Sequence, residues 1–466
     1  MKKTWIFLLL MLALALPACK KFLDINRASD TNPTPVTVDD FDQMLNTTGI
    51  CETSFELLRA PTDDADVPKT PVEPYYGFAI WFVDPWQTRP DDIYGTCYKW
   101  IAQMNMVINS MPTALPTGQM NDRRALAIAQ AKINRAYFYF QLVNIYGPAY
   151  QPASAGTDLG VPLILQVSSQ VSYPRASVEQ VYQQILTDLK DALATPELPD
   201  FHPDKNVIRP GKAAALALLA RAYLYMGNYT QAEKAASAAL AIRSSLLSYL
   251  NYKVPNSTND GRMVTLLQQQ LNSEVLLARI SQAADPRFVF SSDLVSIFDK
   301  TNDRRYTSSY IVSNRDGAIY LFGRVGSVAP INQDNGIGVP EMMLTKAECL
   351  ARANDPVGAV NLLNTLRATR IVSNPNLNLP TNVTADQALV MVLQERRREL
   401  MFKGGTRLFD LKRLNLDSRF KKDIRKANGL GNFVTLPAGS PNYVFPFTRA
   451  SLIANPLLVQ NPRVQL

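Results

Sequence analysis

Apolar residues return every three or four positions over several long stretches of the chain, the spacing that gathers them on one face of an α-helix. Between 130 and 146 the series is Ala131, Ala136, Tyr137, Phe140, Val143 and Tyr146, and Gly147-Pro148 then stops the helix. Between 177 and 193, Val178, Val181, Ile185, Leu189 and Leu193 share a face, and Ser177 with Gln180 has the spacing of a capping box. From 219 to 240, small residues at Ala220, Ala232 and Ala239 let two helices approach closely. Gly227 makes the turn between them, and Tyr223 and Tyr229 fill the wedge. Residues 342–370 repeat this logic, with Ala347 and Ala351 before a turn at Asn354 and with Ala359 and Leu363 after it. A further periodic run covers 385–402.

The 219–240 segment resembles a tetratricopeptide repeat, a helix–turn–helix unit of roughly 34 residues that buries its apolar face by stacking on its neighbours. The expected fold is therefore mainly α. It is a tetratricopeptide-like helical repeat scaffold, with pairs near 125–195, 211–242, 342–370 and 385–413, carrying an irregular, loop-rich ligand-binding region. Two segments break the helical pattern. Residues 53–98 are rich in Pro, Asp and aromatics, and residues 249–340 are rich in Ser, Asn, Asp and Gly with only short apolar runs. Long irregular segments in a compact protein tend to carry function, and a repeat scaffold does no chemistry by itself.

The N-terminus sets the compartment. Lys2 and Lys3 precede an apolar run from Trp5 to Leu16 that is too short for a stable membrane span, and Leu16-Pro17-Ala18-Cys19 follows. This arrangement resembles the bacterial lipobox, in which the cysteine is acylated and the chain is cut before it. Several acyl chains on Cys19 would give lasting attachment. Lys20 and Lys21 follow the cysteine, where an Asp would resemble an inner-membrane retention signal. The expected organisation is a signal peptide at 1–18, a lipidated tether at 19–36 and one folded body at 37–466. Removing the leader lowers the net charge from +8 to +8 − 2 = +6. The basic residues are interspersed with acidic ones, so no nucleic-acid surface is expected.

The single histidine, His202, lies in a Pro/Asp-rich stretch, which argues against Ser-His-Asp or Cys-His catalysis and most catalytic zinc sites. Neither a cofactor nor a metal is expected. The remaining cysteines, Cys51, Cys97 and Cys349, form no metal or redox motif and read as buried thiols, with a Cys51–Cys97 bridge as the alternative.

Several motifs resemble the SusD/RagB family. They are Cys19-Lys-Lys-Phe-Leu-Asp24; Tyr98, Ile101, Asn105 and Ile108 on one helix; Ala131 to Phe140 with Tyr146-Gly147; Asn272-Ser-Glu274; and Asp303-Arg304-Arg305. Near the C-terminus stand Glu395-Arg-Arg-Arg-Glu399-Leu400, then Arg407-Leu-Phe-Asp410-Leu-Lys-Arg413, Phe445-Pro446 and Asn455-Pro456-Leu457 through Gln460-Asn461-Pro462. Glu395 and Glu399 lie one helical turn apart, and they are expected to hold Arg407 or Arg413 in a buried, structural ion-pair network; Asp410 belongs to the same structural family motif. Lys403 departs from the family pattern, as does the longer Gly404-Gly405-Thr406 spacing.

The resemblance implies an outer-membrane lipoprotein on the cell surface, a binding module with no catalytic residues. It would capture an oligosaccharide, or a peptide or glycopeptide, and deliver it to a SusC-like TonB-dependent transporter. Sugar rings present apolar C–H faces that stack on aromatic rings, with polar side chains at the rim. The candidates are Tyr75, Tyr76, Trp81 and Trp86 with Asp84 and Arg89, and a second rim at Tyr306 and Tyr320. Trp100, on a predicted core helix, is expected to be buried. The competing class is a secreted glycoside hydrolase that uses carboxylates of the Asp63/Asp64/Asp66 cluster.

Overall fold

The computed structural model describes residues 34–466 apart from the segments 48–55, 68–74, 82–86, 89–91, 118–122, 167–171, 202–207, 252–271, 282–288, 308–309, 313–318, 322–332, 374–376 and 429–431 and positions 335 and 402. Helix α1 (Val38–Gln43) enters the body, α2 (Tyr75–Ala79) follows, and then come α3 (Asp92–Ser110), α4 (Arg124–Tyr146), α5 (Val178–Leu193), α6 (Lys212–Tyr225) and α7 (Tyr229–Ile242). The short α8 (Ser292–Ser296) and α9 (Arg304–Thr307) precede α10 (Val339–Arg352), α11 (Pro356–Arg367), α12 (Ala385–Glu399), α13 (Thr406–Leu414) and α14 (Arg449–Ala454). From α3 to α7 each helix packs on the next, α7 packs on α10, and α10 packs on α11 and α12, so one stack runs through the molecule.

Helix α4, packed between α3 and α5, is deeply buried. Tyr137, Phe138, Tyr139 and Phe140 are all fully buried, as is nearly every residue from Ala127 to Tyr146. Within α4, buried Arg135 pairs with Asp188 at 2.6 Å and buried Gln130 accepts from Arg209 at 2.8 Å, as the burial of polar groups requires. The amphipathic α5 lies against it, opened by the Ser177–Gln180 capping box that its sequence predicts.

Two hairpins show how the repeat is made. Helix α6 ends at Gly227, whose φ is +73°; Gly227 N–H donates to Leu224 O, and Asn228 N–H donates to Tyr223 O. This is the Schellman closure, and the Asn228 side chain then caps α7 by accepting from Gln231 N–H. Helix α10 ends in the same way at Asn354, with φ +65°. Asn354 N–H donates to Ala351 O, Asp355 N–H donates to Leu350 O, and Asp355 caps α11 through Gly358 N–H. One turn design thus serves both predicted pairs.

The expected pair at 385–413 is different. Gly404 and Gly405 both have positive φ and swing the chain, so α13 packs against α6 and the 56–59 turn, while α12 serves as the third helix on α10 and α11. The structure also has short strands within the irregular segments. Strands β1 (Ala65–Asp66), β4 (Val289–Phe290), β6 (Ile319–Leu321) and β5 (Tyr310–Val312) form one four-stranded sheet in the order β1-β4-β6-β5. Strand β2 (Val275–Leu277) pairs with β8 (Ile337–Gly338), and β3 (Ile280–Ser281) with β7 (Gln333–Asp334). A C-terminal hairpin joins β9 (Ile424–Ala427) and β10 (Phe433–Leu436).

Candidate functional site

Helix α12 carries Arg396, Arg397 and Arg398 in succession, and the helical rotation of about 100° per residue aims them in three directions. Arg398 turns inward to Glu395 at 2.7 Å. Glu395 also accepts from Arg305 at 2.6 Å and from Arg367 at 3.1 Å, and Glu399 accepts from Arg305 at 3.0 Å and from Arg370 at 3.1 Å. Asp303 holds the other edge of the Arg305 guanidinium at 2.7 and 2.9 Å, and Arg370 reaches Glu274 at 2.7 Å. Burial alone would raise the Glu395 carboxyl, yet Arg305, Arg398 and Arg367 hold it far below the usual carboxylate range.

This network corrects an expectation. Glu395 and Glu399 do form a buried ion-pair cluster, but their partners are not Arg407 and Arg413. Arg413 pairs with Glu348 and Asp410, and Asp410 also takes Arg396. Arg407 binds Asp63 through two bonds of 2.7 Å. The reason is the Gly404-Gly405 turn, which carries α13 away from the Glu395 face of α12. Besides Arg398, the partners are Arg305 of the Asp303-Arg304-Arg305 motif and Arg367 and Arg370 at the end of the 342–370 pair, with Asp303 and Glu274 on the far sides of Arg305 and Arg370, so fragments more than a hundred residues apart meet in one layer.

Arg397 forms a second cluster. It contacts Asp64 at 2.6 Å and Asp293 at 2.9 Å, and Lys422 reaches Asp63 at 2.9 Å and Asp293 at 2.6 Å. Ser291 at the head of α8 donates from its backbone N–H to Asp64 O and from its hydroxyl to Asp63 O. Asp63 and Asp64 immediately precede β1, and Ser291 immediately follows β4. The cluster therefore clamps the β1–β4 pair, which joins the two irregular segments, onto α12 and α13. Burial would raise Asp63, but Arg407, Arg397 and Lys422 hold it well below its ordinary value; burial keeps neighbouring Asp64 raised. Asp63 and Asp64 are thus buried and engaged by arginines, and Asp66 accepts from the adjacent Val67 N–H. Carboxylates arranged in this way form a structural clamp and do not flank an open cleft as a glycosidase pair does.

The four-stranded sheet joins the two irregular segments through its strands, and of the predicted rim residues it holds Tyr320. Tyr320, in β6, stands opposite Val289 and Ile311, and β4 in turn pairs with β1. Tyr75 and Tyr76 open α2. Trp86, Asp84 and Arg89 lie outside the described residues, as do Cys19, Cys51 and His202. Two candidates are corrected. Trp81 is only 1% exposed, has a left-handed φ of +63°, and sits under the Lys426 ammonium, 5.3 Å from its ring centroid. Its ring is part of the core and offers no face to a ligand. Tyr306 is also buried, packed against Phe298 with ring centroids 5.7 Å apart. Lys426 itself is buried and donates to Ala60 O, and burial pulls its pKa down to about 8. Trp100, Cys97 and Cys349 are buried, as the sequence reading expects.

Sequence reasoning also missed the β9–β10 hairpin. The signal it leaves in the sequence is Asn428-Gly429 between the two short strands; the strands alternate in burial, but their residue types do not, since Lys426 faces inward and Phe433 outward. Among the described residues, Phe433 is the one aromatic side chain that is exposed, at 57%. Also among the described residues, no cluster of three or more His, Cys, Asp or Glu could hold a metal, and no helix is long and apolar enough to cross a membrane.

Comparison with known proteins places this arrangement. A family model described as "Starch-binding associating with outer membrane" matches residues 21–224, and one described as "SusD family" matches residues 339–463. The chain is 23% identical over 427 residues to SusD-like protein P38 of Formosa agariphila, covering 78% of each. Among solved structures it resembles a putative sugar binding protein from Bacteroides vulgatus, with TM-score 0.71, 18% identity and coverage of 92% of this chain and 99% of that one. It also resembles a SusD superfamily protein from Bacteroides thetaiotaomicron, with TM-score 0.69, 21% identity and coverage of 92% and 100%.

Proposed function

This chain belongs to the SusD/RagB family, and from that premise we propose that it is a cell-surface carbohydrate-binding lipoprotein, held in the outer membrane through Cys19. It captures an oligosaccharide and passes it to a SusC-like TonB-dependent transporter. The observation that carries the reading is the sheet β1-β4-β6-β5, which gathers both irregular segments and is clamped to the stack through Asp63, Asp64 and Arg397. Loops positioned in this way on a rigid scaffold are suited to binding, because little ordering remains to be done when the ligand arrives. Relatives described as a putative sugar binding protein and a SusD-like carbohydrate binding protein support the same ligand class.

The ligand contacts we assign are Tyr75, Tyr76 and Trp86 with Asp84 and Arg89, joined by Tyr320. The test is an oligosaccharide array on the purified protein, followed by calorimetry on Trp86→Ala and Tyr320→Ala. We expect binding without release of reducing ends, and a loss of about 1–3 kcal/mol of binding in each variant at unchanged melting temperature. Release of reducing ends, or no binding to any oligosaccharide, overturns the reading. Labelling with a clickable fatty acid should mark the wild type and not Cys19→Ala, and pull-down from the membrane should recover the transporter.

A further inference from the structure

The β9–β10 hairpin has two unlike faces. Its inner face carries Ile424, Lys426 and Leu436, all buried, and it is fixed to the rest of the molecule where Lys426 meets Ala60 O and the Trp81 ring. Its outer face carries Arg425, Ala427, Phe433 and Thr435, all open to solvent. Register pairs Thr435 with Arg425 and Phe433 with Ala427, so Phe433 is the diagonal neighbour of Arg425. The Arg425 guanidinium carbon lies 3.9 Å from the Phe433 ring centroid. Arg425 forms no ion pair with any described carboxylate, which sets it apart from the arginines of α12. At the mouth of the turn, exposed Asn432 is held by its backbone N–H to the Asn428 side chain and by its carbonyl to Asn428 N–H.

A guanidinium laid over a ring keeps its N–H donors in its own plane and directed outward, where they match the two oxygens of a carboxylate or sulfate. An exposed aromatic ring beside it suits the C–H face of a sugar. The pair is already assembled on a hairpin whose other side is locked down, so neither side chain has to be ordered by the ligand. We propose that this outer face is a carbohydrate subsite for an acidic sugar residue, a uronate or a sulfated ring, with Phe433 as the platform, Arg425 as the anion contact, and Asn432 and Thr435 as hydroxyl partners. The proposal rests on the glycan-binding reading above and extends it to a charge class and to residues outside the irregular segments. The exposed ring and the unpaired cation stand together on one face, whereas a solitary exposed phenylalanine would need no explanation.

The test is calorimetry of the full-length protein with an oligogalacturonate hexamer, a chondroitin sulfate hexasaccharide, maltohexaose and cellohexaose. The variants are Phe433→Ala, Arg425→Gln and, as a control for charge alone, Lys421→Gln, which removes an exposed cation from the strand's approach. We expect at least one acidic oligosaccharide to bind more tightly than the neutral ones. Phe433→Ala should weaken that binding about tenfold. Arg425→Gln should abolish the preference for acid, and Lys421→Gln should leave affinity within about twofold. Melting temperatures should hold in all three variants, because these side chains are exposed. Equal losses in Arg425→Gln and Lys421→Gln would reduce the effect to diffuse charge and overturn the subsite. Binding of neutral oligosaccharides untouched by Phe433→Ala would overturn it while leaving the glycan-binding function standing. Failure of the wild type to bind any of the four probes or any array sugar would remove both.

Discussion

Helix α12 joins two ion-pair clusters made of the same residue types, one on its inner face and one on its outer face. Around Glu395 and Glu399 the arginines and carboxylates are almost wholly buried, with the Arg305 side chain at 0% exposure. Around Asp63 and Asp64 the cluster opens to water, with the Lys422 and Asp293 side chains at 40% and 50%. The inner cluster ties residues 303–305 and Glu274 to the helical stack. The outer one ties the start of β1 and the head of α8 to it. A charge deep in the core cannot be left without a partner, whereas one at the rim can be solvated instead. The inner cluster therefore fixes the fold, and the outer one fixes how the four-stranded sheet sits on it.

The largest expected effect comes from breaking the inner cluster. Arg305→Ala leaves Asp303, Glu395 and Glu399 short of their shared cation, and truncating one member of such a pair costs about 3–5 kcal/mol. Urea denaturation of the variant against the wild type measures it; a loss below about 1 kcal/mol would mean that the layer readily exchanges its charges for water. Arg407→Ala should cost less, about 2 kcal/mol, because Arg397 and Lys422 remain beside Asp63.

Acid sharpens the same comparison. Asp63 and Glu395 both have folded-state values well below their ordinary 3.8 and 4.5. A depressed carboxylate contributes stability that is present above its unfolded value and is lost as pH falls toward the folded one. Denaturation midpoints should thus be level down to about pH 5 and fall steadily below it. Arg407→Ala should flatten that fall, since it removes the cation that holds Asp63 down most. A fall of unchanged slope would assign the acid sensitivity to the inner cluster instead.

The repeat stack was legible because each of its features is local. Periodicity, the Ser177 capping box and the two turns depend on residues within a few positions of one another, and Asn354 occupies the same left-handed place as Gly227. Gly227→Val calibrates that reading. The sequence suggests both a clash and backbone strain, but an added Cβ at Gly227 would meet nothing within 4 Å. Only the left-handed φ remains, so we expect a loss of about 1–2 kcal/mol in the same urea assay. The clusters on α12 were half legible. That Glu395 and Glu399 would be buried among arginines follows from their spacing, but which arginines does not, because partners such as Arg305 and Asp63 lie 90 and more residues away. Trp81 was misread because its neighbours in sequence are loop-like, whereas its burial is supplied by Lys426 and the C-terminal hairpin.

The smallest effect is expected at the rim of the outer cluster. Lys422 bridges Asp63 and Asp293 at 2.9 and 2.6 Å, within the range of distances in the inner cluster. Distance alone would rank it with Arg305. Exposure argues otherwise, since water solvates an ammonium that is 40% open almost as well as a carboxylate does. Asp63 would keep Arg407 and Arg397 after the loss. Lys422→Gln should therefore cost at most about 1 kcal/mol. Raising the salt to about 1 M, where the screening length is near 3 Å, should erase most of that difference. Arg305→Ala should keep its deficit at the same salt, because its charges are shielded from ions by the core. If Lys422→Gln costs as much as Arg407→Ala, or if its cost survives in salt, the outer cluster is as dry in solution as the inner one. The sheet would then be welded to α12 and not merely clamped.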